Sequence, residues 1–164
     1  MATRSVVLSL AVLGTGLGVP LLAPPVLAAP QQLYSLQTRC AIKGEAPVPC
    51  TVEALEEGSA TLYRHRIGSR TETVRITDSP VRMAFWDAAS REWKSLKRAE
   101  ARFSTNTVCF GVGDLCVVNP NYLNSVRESN AAATAGRDLV RVHFGADGRI
   151  DASCYDAGCE VSKP

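Results

Sequence analysis

The sequence predicts a mostly β protein: a single antiparallel sheet, curled or barrel-like, with one short helix at about 120–129 and an α+β arrangement as the alternative. Three observations predict it. Short runs of alternating apolar and polar residues recur along the chain, divided by Gly, Asn and Asp turn signals. Six cysteines fall into three close pairs along the chain. A convincing helix start occurs once, at Asn119-Pro120.

The chain opens with a single early cation, Arg4, then an apolar run from Val6 to Leu22 broken by Gly14, Gly16, Gly18 and Pro20. Val26 and Ala28 occupy the small-residue positions of a cleavage site, so residues 1–28 read as a secretory signal peptide cut after Ala28. The glycines and the proline weaken this run as a spanning helix, so no stable membrane span is expected after cleavage. Residues 29–164 then form a single disulfide-stabilised β-rich domain, long enough for a real core.

Leu33–Thr38 reads as a first strand. Pro47 and Pro49 between Cys40 and Cys50 predict a stapled loop there. Thr51–Leu55 resumes as strand and stops at Gly58. Ala60 to Thr77 is the clearest hairpin, with a turn at Gly68-Ser69. That turn sets Ile67 opposite Arg70, His65 opposite Glu72, Tyr63 opposite Val74 and Thr61 opposite Ile76. Tyr63, Ile67, Val74 and Ile76 then share one face, and a one-residue slip would mix the faces. His65 falls at the edge of the apolar face, where a charge pair with Glu72 would close the rim of the core.

Val81–Trp86 and Glu92–Leu96 read as strands around a loop at 87–91. Trp93, Leu96, Ala99 and Phe103 also approximate a helical stripe, so a helix from Ala88 to Arg102 is the rival; the aromatic and β-branched flanks favour strands. Ala99–Phe103 is a further strand. A loop at Gly111–Asp114 puts Phe110 opposite Leu115 and Cys109 opposite Cys116, close enough for a bridge. Asn119 caps a short helix, with Tyr122, Leu123 and Val126 on one face. The small residues from Asn130 to Gly136 predict a mobile connection. A final hairpin pairs 139–144 with 150–154. A loop of Ala146, Asp147 and Gly148 sets Phe144 opposite Ile150, Val142 opposite Ala152 and Val140 opposite Cys154, all on one side. The strand count is seven to nine.

Composition narrows the function. Lys and Arg number 18 against 16 Asp and Glu, for a net charge of +2. A near-neutral, well-mixed chain excludes nucleic-acid binding driven by bulk charge. Exported cysteines are usually oxidised, and the spacings suggest the pairs Cys40 with Cys50, Cys109 with Cys116 and Cys154 with Cys159. Each such short loop is worth about 2–3 kcal/mol by chain entropy. The cysteine spacings match no zinc signature, and only two histidines are present, so no metal and no cofactor are expected. The chain has no nucleophile elbow, zinc-protease helix, phosphate loop, calcium loop or Cys-x-x-Cys motif.

Cys109-Phe-Gly-Val-Gly-Asp-Leu-Cys-Val-Val-Asn-Pro-Asn-Tyr-Leu-Asn-Ser-Val-Arg-Glu128 and Cys154-Tyr-Asp-Ala-Gly-Cys159 resemble segments of small exported cyanobacterial proteins of unknown function. The resemblance covers mainly the C-terminal third. It implies a periplasmic or secreted setting and transfers no activity. In size, export and disulfides the chain is also similar to small exported β-barrel inhibitors, such as those of lysozyme.

The reading that follows is a non-catalytic binding or inhibitory module acting outside the cytoplasm. Its partner would be an extracytoplasmic protein or acidic ligand, met by Arg64, Arg66 and Arg75 on the outer face of the first hairpin. Two alternatives are a small exported hydrolase using His65 or His143 and a structural component of an envelope assembly. A cleft holding a histidine beside a Ser, Asp or Glu would mark the hydrolase. A large exposed apolar patch would mark the assembly component.

Overall fold

A computed structural model describes residues 30–129 and 131–161; the signal peptide expected at 1–28 lies outside them. The chain is mostly β, one 12-stranded antiparallel sheet curled into a half-barrel with two short helices. The strands are β1 (Gln31–Ile42), β2 (Val48–Glu57), β3 (Ala60–Ile67), β4 (Arg70–Asp78), β5 (Val81–Asp87), β6 (Glu92–Ser95), β7 (Arg98–Arg102), β8 (Thr107–Phe110) and β9 (Leu115–Val118). Helices α1 (Pro120–Ser129) and α2 (Ala131–Thr134) follow, then β10 (Leu139–Phe144), β11 (Ile150–Tyr155) and β12 (Gly158–Val161).

The strand order is β12-β11-β10-β7-β8-β9-β1-β2-β3-β4-β5-β6. This order forces the curl. β6 lies at one edge and β7 well inside the sheet, yet only Leu96 and Lys97 join them. At about 4.8 Å per strand a flat sheet would hold them about 40 Å apart, whereas this link spans about 10 Å. The link is itself bonded to both sides: Leu96 N–H donates to the Met83 carbonyl (2.9 Å), and the Lys97 carbonyl accepts from Phe144 N–H (3.0 Å). β5 and β10 therefore leave the same stretch of chain in different directions.

Period-two alternation puts the core on the concave face. Val52, Val74, Leu115, Val117 and Leu123 are essentially sealed from water. The β3–β4 register is the expected one, His65 opposite Glu72 and Tyr63 opposite Val74. The turn glycine, Gly68, has φ +59°, where a side chain would be strained. β5 and β6 form a hairpin, with Trp86 opposite Trp93 and their rings 5.3 Å apart edge to face, so the helical rival over 88–102 is not adopted. Phe110 faces Leu115 and Cys109 faces Cys116, as the loop at 111–114 requires.

The cysteine pairs are those the spacing suggests. Cys109–Cys116 and Cys154–Cys159 join directly opposed residues, with Cα separations of 4.0 and 3.9 Å. Cys40–Cys50 is a diagonal link across β1 and β2, at 5.7 Å. Three intrachain disulfides suit an oxidising, extracytoplasmic environment.

Asn119 seats α1 by satisfying its own polar groups in the interior, where it is 2% exposed. Its Oδ1 accepts from Tyr122 N–H (3.0 Å), its Nδ2 donates to the Tyr34 hydroxyl (3.0 Å), and its N–H donates to the Asn106 carbonyl (3.0 Å). The cap fixes the helix against the concave face, so that Leu123 is wholly buried and Tyr122 meets Tyr63 edge to face at 5.4 Å.

Four expectations are corrected. Among the described residues the strands number twelve, because the strands of every hairpin count separately and Gly158–Val161, expected only as part of a terminal staple, pairs with β11. The segment between Cys40 and Cys50 is a loop only at 43–47; Pro49 lies in β2 opposite Arg39, beyond the reach of β3, whose pairing begins at Thr51. The stretch expected to be a mobile connection contains α2, whose Ala133 and Thr134 are half-buried. In the last hairpin Phe144 does face Ile150, but a bulge at Asp151 then shifts the register, so Val142 meets Ser153 and Val140 meets Tyr155. Ser153 and Tyr155 therefore share the inner face with the valines, while Cys154 turns to the other face opposite Arg141.

Candidate functional site

A cavity of about 630 Å³ lies where β5 and β10 part, on the concave face and under α1. Its existence follows from residue size. The inward positions of β7 are Ala99 and Ala101, two of the smallest side chains available. Strands on either side supply apolar walls: Ile76, Val81 and Met83 from β4 and β5, and Val140, Val142 and Ile150 from β10 and β11. Val108 forms the floor beside the alanines, and α1 contributes Tyr122, Ser125 and Val126 along one rim.

Polar side chains enter the lining from several elements, among them Ser125 on α1 and Ser153 and Tyr155 on β11. Tyr63, Tyr122 and Asp78 line the cavity together. Burial raises the Tyr63 and Tyr122 hydroxyls well above the usual phenol range, and Tyr34 and Asp78 nearby add to the effect. Both hydroxyls therefore keep their protons, and neither has a hydrogen-bond partner among the described residues. Tyr34, held by Asn119, is raised for the same first reason, burial. Of the two acidic residues in the lining, Glu100 alternates with Ala99 and Ala101, so its side chain turns to the outer face. Glu100 accepts from Arg141 Nε (3.0 Å) and lies 3.4 Å from Arg98. Asp78, on the rim, makes no salt bridge among the described residues. No Lys, Arg or His lines the cavity.

The candidate residues named from sequence lie elsewhere. His65 is 0% exposed, deep in the core instead of at its rim. Its Nδ1–H donates to the Glu72 backbone carbonyl at 3.3 Å, so the expected charge pair with the Glu72 carboxylate is not made. Its ring packs edge-on to Phe110 at 6.0 Å and its Nε2 has no partner. Burial lowers its pKa to about 4, so it is neutral at pH 7. His143 stands half-buried on the outer face, opposite Arg98 and Ala152. Neither histidine reaches the cavity.

Arg64, Arg66 and Arg75 do share the outer face of the first hairpin, but each is engaged. Arg64 and Arg66 converge on Glu53 at 3.5 and 3.1 Å, and the Arg75 guanidinium lies 4.6 Å over the Trp93 ring. The exposed large apolar residues, Leu33, Val48, Trp86, Val112 and Val161, fall on separate elements. Sequence reasoning missed the cavity and its tyrosines. The available signal was the Ala99–Ala101 alternation in a strand otherwise bounded by arginines.

No protein-family model, curated protein or solved structure matches the chain.

Proposed function

We propose that the chain is a non-catalytic binding module that works outside the cytoplasm, and that the cavity beneath α1 holds its ligand. The observation that carries this reading is a preformed cavity of about 630 Å³ with apolar walls and polar side chains set among them, the usual form of a small-molecule site. Neither of the histidines on which the hydrolase reading rests lies in its lining, so the cavity supports the binding reading. The cavity is favoured over the arginine face because Arg64 and Arg66 are already paired with Glu53 and Arg75 lies over the Trp93 ring. The leader-like run at 1–28 and the three disulfides support an exported, periplasmic or secreted, location.

Titration of the oxidised protein with the neutral dye N-phenylnaphthylamine tests the site. Saturable fluorescence enhancement is expected, lost in Ala101→Phe and Val126→Trp, which fill the space from the floor and the rim. Enhancement that both folded variants retain in full, or none in the wild type, would overturn the reading. Export is tested by fractionating cells that express the chain with and without residues 1–28; equal retention in the cytoplasm would count against it.

A further inference from the structure

We infer that the cavity selects a ligand with an apolar body and a cationic, ammonium-type head. This rests on the proposed binding role and names the ligand class. The chain carries a net charge of +2, yet among the described residues no Lys or Arg lines the cavity. Among the described residues the lining includes two acidic positions, Asp78 and Glu100, and the Glu100 side chain turns to the outer face of β7, where Arg98 and Arg141 hold it. Asp78 is left as the one unpaired charge, at the end where Tyr63 and Tyr122 meet.

An anionic head entering there would meet a carboxylate and find no counter-ion. An ammonium would meet the Asp78 carboxylate directly, with the two tyrosine rings offering the electron-rich faces that attract cations. The apolar part would then lie along Ala99, Ala101, Val108 and the β10 valines, where burial of each methylene adds affinity. Head and body are thus recognised at separate places, so the charge preference can be measured with the body held constant.

The test is competition against N-phenylnaphthylamine by decylamine, decanol and decanoate at pH 7 and low ionic strength, each below its micelle concentration. Decylammonium is expected to displace the dye at about tenfold lower concentration than decanoate, the order of one partly screened ion pair, with decanol between them. Raising the salt should narrow the gap. In Asp78→Asn, checked for an unchanged thermal midpoint, decanol should compete as before and the preference of amine over carboxylate should collapse. If Asp78→Asn misfolds, the salt dependence and the wild-type order carry the test. Equal competition by all three ligands, or tighter binding of decanoate, would overturn the cationic preference while leaving the cavity as a binding site. Failure of all three ligands and of the dye would instead overturn the proposed function itself.

Discussion

His65 makes stability depend on pH in a window set by one side chain. In the folded chain its pKa is lowered to about 4, against 6.5 for an ordinary histidine, first because burial disfavours the imidazolium. The proton therefore binds the unfolded chain more tightly. The stabilisation is fully present above pH 6.5 and is lost as the pH falls toward 4. A difference of that size is worth about 3 kcal/mol by pH 4, a large part of a typical domain's stability of roughly 5–15 kcal/mol. Asp87 and Asp138 also have lowered pKa values, Asp87 through the N–H groups of Ser90 and Ala89 and Asp138 through Ser104. Their contributions are lost only as the pH falls below the ordinary value of 3.8, beneath the histidine window. Urea unfolding of the oxidised protein at intervals from pH 7.5 to 4 should show the decline, and His65→Leu should flatten it. A free energy that stays level across this range in the wild type, or an undiminished slope in His65→Leu, would refute the reasoning.

Four further outcomes follow from the packing. Asn119→Ala removes the α1 cap and strands the Tyr34 hydroxyl, and should cost about 2 kcal/mol by urea unfolding. Leu123→Ala empties a fully buried site and should cost about 2–5 kcal/mol, measured the same way. Replacing Cys109 and Cys116 by Ser should lower global stability by about 3 kcal/mol. The same change at Cys154 and Cys159 should mainly speed amide exchange in β12, every residue of which is exposed.

Much of the local architecture was legible because each hairpin has one apolar face. Tyr63, Ile67, Val74 and Ile76 can share a side in only one register, and Gly68 marks the turn. The disulfides were legible for the same reason, since correct turns bring Cys109 opposite Cys116. The bulge at Asp151 was not, because an extra polar residue near a turn leaves no trace in the alternation. His65 was half legible: its cross-strand neighbour was right, but the hydrogen bond goes to the backbone of Glu72, and side-chain patterns carry no word of a carbonyl. The curl depends on β9 finding β1 and β10 finding β7, pairings between segments far apart in sequence. The cavity was the hardest feature to foresee because it is made of what Ala99 and Ala101 lack.

β1 meets β9 through only three residue pairs, Cys40 with Val117, Ala41 with Cys116 and Ile42 with Leu115. On one side of that seam the strands run β1 to β6 in simple succession; on the other lie β7 to β12. Two crosslinks flank it, Cys40–Cys50 bracing the first half and Cys109–Cys116 the second, and neither crosses it. The disulfides therefore brace each half from within, while the halves are held to one another by these pairs, by the Thr38 hydroxyl on the Val118 carbonyl, by Asn119 on the Tyr34 hydroxyl, and by the core they share.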